Sequence, residues 1–340
     1  MSGLMMTEAM AQTSNGARAG GADSGTRRYA RTLLLSNPNA RQVRRRAPLL
    51  APLQQSGDVE ILWTGEPGQL GATLRQLCPS AADLLVINGG DGTVQTTLTE
   101  LAALLPLSGW PTLAVLPGGT TNQSAFDISG RVSYGRALAA LTRAVGSPGG
   151  GFVRRRHVLR VQTFGAPTRF GFAFGAGAVV NGVQYCRDEL LRRGARDEWA
   201  SGLTLLRGGI GIARRDPRFA GNTGARIDFG DGHLNDAWLL LLATTLDRLI
   251  MGIRPYWGDR QAPLHFTWIR ADARNFLGRL PRILRGGAGL SAADGYSSRD
   301  VCEVTLDLGG QYTIDGEIFP VPQASLTLAA VGPVPFLVLR

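Results

Sequence analysis

Leu84-Leu85-Val86-Ile87-Asn88-Gly89-Gly90-Asp91-Gly92-Thr93 is the stretch from which the rest of the chain is read. Its four leading apolar residues suit a strand buried on both faces. Beyond it Val94, Leu98, Leu101 and Leu105 recur at helical spacing and predict a helix over 94–105 with one apolar face. The glycine turn therefore lies at the carboxyl end of a strand and the amino end of a helix. Gly89, Gly90 and Gly92 allow close approach of backbone to a ligand, and the free N–H groups and positive dipole end of the helix attract an anion. Thr93 is placed to cap that helix. Asp91 would repel phosphate directly, so its expected use is to hold Mg²⁺, alone or through water, beside the phosphates. The competing reading is a tight turn that uses Asp-Gly only for its backbone angles.

A second turn of the same kind follows one strand later, in Leu113-Ala114-Val115-Leu116-Pro117-Gly118-Gly119-Thr120-Thr121-Asn122. Two such turns at neighbouring strand ends make a crevice, which is where open α/β sheets bind ligands.

Composition narrows the chemistry. All 36 basic residues of the 340 are arginine, and no lysine occurs. A P-loop lysine, a Schiff-base lysine and a protein-kinase β3 lysine are thereby excluded. Any phosphate clamp must use arginine, backbone amides or metal. The net charge of +10 points to an anionic partner, nucleic acid or an anionic membrane surface. The clusters Arg41, Arg44, Arg45, Arg46 and Arg154, Arg155, Arg156 lack interleaved aromatics, which disfavours nucleic acid and leaves a solvated face as the structural alternative. Cys78, Cys186 and Cys302 are far apart and read as reduced core thiols, and His157, His233 and His265 form no zinc pattern. Residues 1–28 read as a disordered tail without a secretory signal. The longest apolar run, 237–244, is too short to span a bilayer, so a cytoplasmic protein with peripheral membrane association is expected. The composition is compatible with a homodimer.

In chain order, an apolar strand near Thr32 to Ser36 ends in Asn37-Pro38-Asn39-Ala40, a strand follows at Val59 to Trp63, and a helix over 67–77. With the strands before the two glycine turns, this alternation argues a parallel sheet with right-handed crossovers. After a helix over 134–145, Ser147-Pro148-Gly149-Gly150-Gly151 breaks the pattern and marks a domain boundary near 150. Beyond it the texture is that of short strands, expected at 153–163, 168–174, 225–229, 237–242, 265–269, 301–308 and 312–314, hence a β-rich second domain of sandwich type. Helical intervals interrupt it at 183–193 and near 198–206. Near the end, Asp315-Gly316-Glu317 lies between apolar flanks and is by itself a hairpin signal.

Asn88-Gly89-Gly90-Asp91-Gly92-Thr93 followed by Leu116-Pro117-Gly118-Gly119-Thr120-Thr121-Asn122 resembles the catalytic domain of the diacylglycerol kinase and sphingosine kinase family of lipid kinases, whose fold is related to that of NAD kinases. The resemblance implies a parallel α/β nucleotide-binding domain over 29–150, to which 324–340 returns, a β-rich lipid-substrate domain over 151–323, and an active site in the cleft between them. It implies ATP and Mg²⁺, and a diacylglycerol-like or sphingoid lipid acceptor at an anionic membrane surface. Residue by residue, Asn37, Gly89, Gly90, Gly92, Thr93, Gly118, Gly119, Thr120 and Asn122 match nucleotide-contacting positions. Asp91 matches the acid of the Mg²⁺ network, Asp315 the general base, and Glu317 its support. The chain departs from the family at Ala40, where a glycine usually follows shortly after the Asn-Pro turn, and at Gln123, where an acid often contributes to the Mg²⁺ network; Asp127 would have to compensate. Around Trp257-Gly258-Asp259-Arg260 a single acid replaces the family's structural-metal turn. The rivals are a soluble kinase of the NAD kinase type and a nucleotide- or lipid-binding homologue without catalysis.

Overall fold

The computed structural model describes residues 29–66, 68–77, 82–193, 222–322 and 324–340. The expected tail over 1–28, the helix start at Pro67, Cys78 and the helix near 198–206 lie outside the described residues, as does the side chain of Cys186.

Four parallel strands, β1 (Thr32–Ser36), β2 (Val59–Trp63), β3 (Leu84–Gly89) and β4 (Thr112–Pro117), form the α/β domain in the order β4-β3-β1-β2. All of β1, β3 and β4 is buried. Alternate residues serve opposite faces, as a period of two requires. Leu33, Leu35, Leu85, Ile87, Leu113 and Val115 meet α3 (Gln69–Leu77) and α4 (Asp91–Leu104). Leu34, Leu84, Val86, Ala114 and Leu116 meet α1 (Arg41–Arg46), α2 (Ala51–Ser56) and α6 (Tyr134–Gly146). A two-sided core of this kind explains why these strands read as unbroken apolar runs. Between β4 and α6 a short helix, α5 (Gln123–Ser129), had no distinct signal in the sequence, since Gln-Ser-Ala-Phe-Asp carries no apolar period.

The β-rich domain is a sandwich folded from one continuous sheet. One layer holds β7 (Ala173–Gly177), β10 (Leu264–Arg270), β11 (Tyr296–Val301), β13 (Gln311–Ile314) and β14 (Glu317–Pro320). The other holds β5 (Val153–Thr163), β6 (Arg169–Gly171), β8 (Thr223–Asp228), β12 (Glu303–Leu308) and β15 (Leu326–Leu337). The long strand β9 (His233–Thr244) passes between them, pairing with β8 through its first half and with β7 and β10 through its second. Inward residues of both layers, among them Phe174, Ile227, Phe266, Leu306, Tyr312 and Leu328, form one core. Helix α7 (Ala178–Arg193) starts five residues before the expected 183, and α8 (Phe276–Ile283), unannounced in the sequence, joins β10 to β11.

Two expected strands are each broken in two. The interval 168–174 becomes β6 and β7 with a bend at Phe172, because the Phe172 N–H turns to a carboxylate instead of a neighbouring strand. The interval 301–308 splits at Cys302, which sits in the bend between β11 and β12 and is exposed, correcting its reading as a core thiol.

The two domains are joined by a ribbon and a shared core. β15 runs antiparallel to β5 along its length, pairs with β12 at its start, and near its end lies parallel to β4 with Phe336 opposite Leu113. Val158, Phe170, Phe172, Leu246 and Phe336 of this region pack in the same cluster as Val94 and Leu98 of α4. An ion triad reinforces the joint. Arg156 of β5 binds Asp127 of α5 in a short contact and Asp247 at 2.7 Å. Asp127 also accepts the N–H groups of Asp247 at 3.1 Å and Arg248 at 3.2 Å. The Asp127 side chain is 3% exposed, and desolvation pushes its carboxyl above the usual carboxylate range although Arg156 opposes the shift. Removing the cation from such a pair leaves a buried charge without its partner. Arg156→Met is expected to cost about 3–5 kcal/mol in urea unfolding; a loss below about 1 kcal/mol would show that the joint does not depend on the triad.

Candidate functional site

The two glycine turns touch. Gly118 N–H donates to Gly89 O at 3.1 Å, and Gln42 N–H at the start of α1 donates to Gly118 O at 2.8 Å. A Cβ on Gly119 would stand 2.5 Å from the Cα of Gly90, and one on Gly118 would stand 2.9 Å from the Gly89 nitrogen. Contact between the turns is thus enough to require glycine at Gly118 and Gly119, before any ligand is considered. Side chains then lock the pair. Asn122, at φ +52, accepts the Gly119 N–H on Oδ1 at 2.7 Å and donates to Gly119 O at 3.2 Å.

Asp91 is the first residue of α4, and its carboxylate crosses to the other turn. Oδ2 accepts the Gln123 N–H at 3.1 Å, and Oδ1 accepts the Ser124 N–H at 2.9 Å and its hydroxyl at 3.0 Å. The acid of the first turn thereby satisfies free amides at the start of α5. Thr93 does not cap α4, contrary to the sequence reading. The cap position is Gly90, in extended backbone, so Thr93 lies inside the first turn and its Oγ1 accepts from Asn37 Nδ2 at 3.0 Å. Asn37 likewise caps no helix: Ala40 takes that position in α1, and Asn37 Oδ1 accepts the Asn39 N–H at 2.9 Å. Asn37, Thr93 and the β3 turn are held as one unit, with Asn37 N–H donating to Asn88 O at 3.0 Å.

Asp315 and Glu317 come from the β13–β14 hairpin. Asp315 at φ +49 and Gly316 at φ +86 make the two-residue turn with left-handed angles that a tight hairpin demands. The hairpin and site readings of Asp-Gly are therefore compatible. The Asp315 carboxylate accepts the Phe172 N–H at 3.0 Å on Oδ2 and the Ala173 N–H at 2.8 Å on Oδ1. Burial, and after it the negative charge of Asp91, push the Asp315 carboxyl up to about 8, outweighing the two backbone donors. Glu317 leans over the start of α4, with Oε1 3.2 Å from where a Cβ on Gly92 would be. The structure thus brings both turns, Asn37, Asp91, Asp315 and Glu317 to one cleft.

Beside the second turn a cavity of about 350 Å³ is lined by Thr120, Asn122, Arg41, Arg46 and Tyr134. Thr120 therefore faces a hollow with two arginines, which suits the phosphates of a nucleotide. Asp127 does not stand in for the acid replaced by Gln123, because its carboxylate is committed to Arg156. Ser124, Phe172 and Ala173 escaped the sequence reading: the first is a helix-start hydroxyl with no motif, and the other two act through main-chain N–H groups. Gly177, at φ +66, would put a Cβ 2.7 Å from Leu239 O, so close packing of backbone requires glycine where β7 meets α7.

Among the described residues no group of three His, Cys, Asp or Glu side chains could form a metal cage. Mg²⁺ does not need one, since it keeps several waters and is held by one or two carboxylates together with substrate phosphates. Asp91, whose Oδ2 has a single protein donor, fits that use.

Residues 31–147 match the family profile described as "Diacylglycerol kinase catalytic domain". That match lies within the α/β domain. A "Probable lipid kinase YegS-like" protein of Serratia proteamaculans (strain 568) is 29% identical over 224 residues, covering 62% of this chain and 70% of that protein. A diacylglycerol kinase structure from Bacillus anthracis str. Sterne superposes with a TM-score of 0.63 at 17% identity, over 91% of this chain and 97% of that one. A putative diacylglycerol kinase from the same strain gives 0.67 at 17% identity, over 93% and 97%. The fold of both domains is therefore that of diacylglycerol kinase-like proteins, and the sequence is similar to that of a probable lipid kinase. Among the described residues no helix is long and apolar enough to cross a membrane.

Titration of the Asp315 carboxyl, read by carbon NMR against Asp315→Asn, is expected to show a midpoint near 8. In Asp91→Asn the midpoint should fall, since a like charge is removed; an unmoved midpoint would mean that burial alone sets it. The folded value lies above the ordinary 3.8, so this group's stability contribution is complete below that value and is lost as pH rises toward 8. Asp315→Asn should therefore gain thermal stability relative to the parent between pH 4 and 8, measured by calorimetry.

Proposed function

We propose that the chain transfers the γ-phosphoryl group of ATP to a hydroxyl of a diacylglycerol-like or sphingoid lipid, with Mg²⁺, at an anionic membrane surface. The observation that carries this reading is Asp315, a desolvated carboxylate held by two backbone N–H groups in the cleft that also contains Asp91 and the glycine turns. A base with a pKa near the working pH is what proton transfer from an alcohol needs. The acceptor O–H gives its proton to Asp315, the acceptor oxygen bonds to the γ-phosphorus, and the bond from that phosphorus to the β,γ-bridging oxygen breaks, releasing ADP. Backbone amides of Gly89, Gly90, Gly92, Gly118 and Gly119, with Thr93, Thr120, Asn122 and Asn37, hold and orient the phosphates. Arg41 and Arg46 add charge on the side of the nucleotide cavity. Mg²⁺, when bound with the phosphates beside Asp91, supplies charge neutralisation. Positive charge near Asp91 also offsets its repulsion of Asp315, which favours the ionised base once the nucleotide is bound. Glu317, over the start of α4, supports the same network. For the membrane surface, support comes from Arg44, Arg45 and Arg46, exposed in the last turn of α1.

The test is incubation of the full chain with radiolabelled ATP, Mg²⁺ and mixed micelles of diacylglycerols or long-chain bases, with NAD as a separate acceptor. A labelled lipid is expected. Asp315→Asn should lower kcat about 10²–10⁴-fold and leave nucleotide affinity nearly unchanged, whereas Asp91→Ala should weaken both. Label on NAD and on no lipid would overturn the lipid assignment, and nucleotide binding without turnover on any acceptor would overturn the catalytic one.

A further inference from the structure

A second hollow, of about 380 Å³, lies beside α5 between the two domains. Its walls are the end of α5 with Arg131, the turn 247–252 after β9, the start of β5 at Arg154, and Arg340. The second glycine turn stands between the two cavities: Thr120 and Asn122 line the first, Thr121 and Gln123 the second.

The charge in this hollow is one-sided. Arg131, Arg154, Arg248 and Arg340 all line it, and its acidic side chains are Asp127 and Asp247, with the terminal carboxylate carried by Arg340 itself. Both acids are bound by Arg156 from behind. Arg154 is tethered to the wall through Asp127 O at 3.3 Å, and Arg131 lies over the Phe126 ring at 5.6 Å. Counting Arg156 and the terminal carboxylate, five guanidinium groups face three carboxylates. Guanidinium groups are planar forks that match phosphate oxygens two at a time, and bringing several together is unfavourable unless an anion joins them. The rim has a different character. Leu249 and Ile250 are half-buried, and Met251, at φ +57, is 49% exposed. An arginine hollow with an apolar ledge has the two parts of a phospholipid binding site.

We propose that this hollow is a phosphate-binding site separate from the transfer site, taking the phosphate of an anionic lipid headgroup or of a soluble phosphate. It does not depend on the acceptor of the reaction being a lipid. Because Phe126 of α5 lines both cavities, and the first amides of α5 hold Asp91, an occupant is in direct contact with the helix that positions the catalytic turn.

Calorimetric titration of the full chain with dihexanoyl phosphatidate, dihexanoyl phosphatidylcholine and inorganic phosphate, each with and without saturating ADP, tests this. Binding of phosphatidate is expected to persist with ADP present and in Asp315→Asn. It should weaken at least tenfold in Arg131→Gln/Arg248→Gln, and not in the surface control Arg143→Gln/Arg282→Gln, two exposed arginines outside both cavities. Should the double variant fail to fold, the exposed single change Arg248→Gln decides, with Arg248→Lys restoring part of the affinity. Tighter binding of phosphatidate than of inorganic phosphate assigns the site to a lipid; equal binding assigns it to a soluble phosphate. Loss of binding with ADP, affinity unchanged by the arginine variants, or equal affinity for phosphatidylcholine would overturn the proposal. Absence of lipid phosphorylation with this pattern of binding intact would count against the kinase reading alone.

Discussion

Helix α4 is the rigid spacer on which the site depends. Its first residue is Asp91, and its middle is fastened to the other domain, where the Phe170 N–H donates to Thr99 Oγ1 at 3.0 Å. From Phe170 the chain needs only two more residues to reach the N–H groups that hold Asp315. The position of one carboxylate relative to the other is thus set by half a helix and a few residues of strand. Val94 and Leu98, buried in the cluster that also contains Phe170 and Phe172, give this spacer its apolar backing.

Such rigidity has an electrostatic cost. Asp315 is placed where water does not reach it well and where Asp91 is near enough to repel it, and two backbone donors recover only part of the loss. Asp91 is treated differently: three donors from the start of α5 surround it. The two acids therefore differ by environment rather than by chemistry: Asp91 is satisfied by three donors, and Asp315 is held toward its neutral form by burial and a neighbouring like charge. A carboxyl perturbed in this way is a physical mark of a functional site.

Strands that are buried on both faces were legible because nothing but apolar residues can fill them, and so were the turns that end them, because Gly118 and Gly119 have no alternative at a contact of 2.5–2.9 Å. The Asp-Gly hairpin was equally open to reading, since a two-residue turn with left-handed angles leaves few choices. What escaped depended on long-range partners. The bend at Phe172 exists for Asp315, 143 residues away. Thr93 looked like a cap because helix starts favour it, but Gly90 begins the helix earlier and frees Thr93 to receive Asn37, 56 residues upstream. Helix α8 carries Gly278 and Pro281 within it, which local propensity reads as loop, yet Ile283 and Phe276 pack it against the sandwich. Cys302 looked apolar and is a bend residue.

Gln123 and Asp127 show how one helix absorbs a change of residue type. With glutamine at the first position of α5, no carboxylate is available there for a metal network, but its main-chain N–H still holds Asp91. The acid one turn later, Asp127, faces the joint, where Arg156 and two backbone N–H groups neutralise it. Both ends of α5 are therefore anchored by carboxylates, Asp91 at its start and Asp127 toward its end, and each carboxylate ties it to a different part of the molecule. A helix of seven residues has little stability of its own. Its position is fixed from outside, so whatever shifts the joint at Asp127 is transmitted to the amides that hold Asp91.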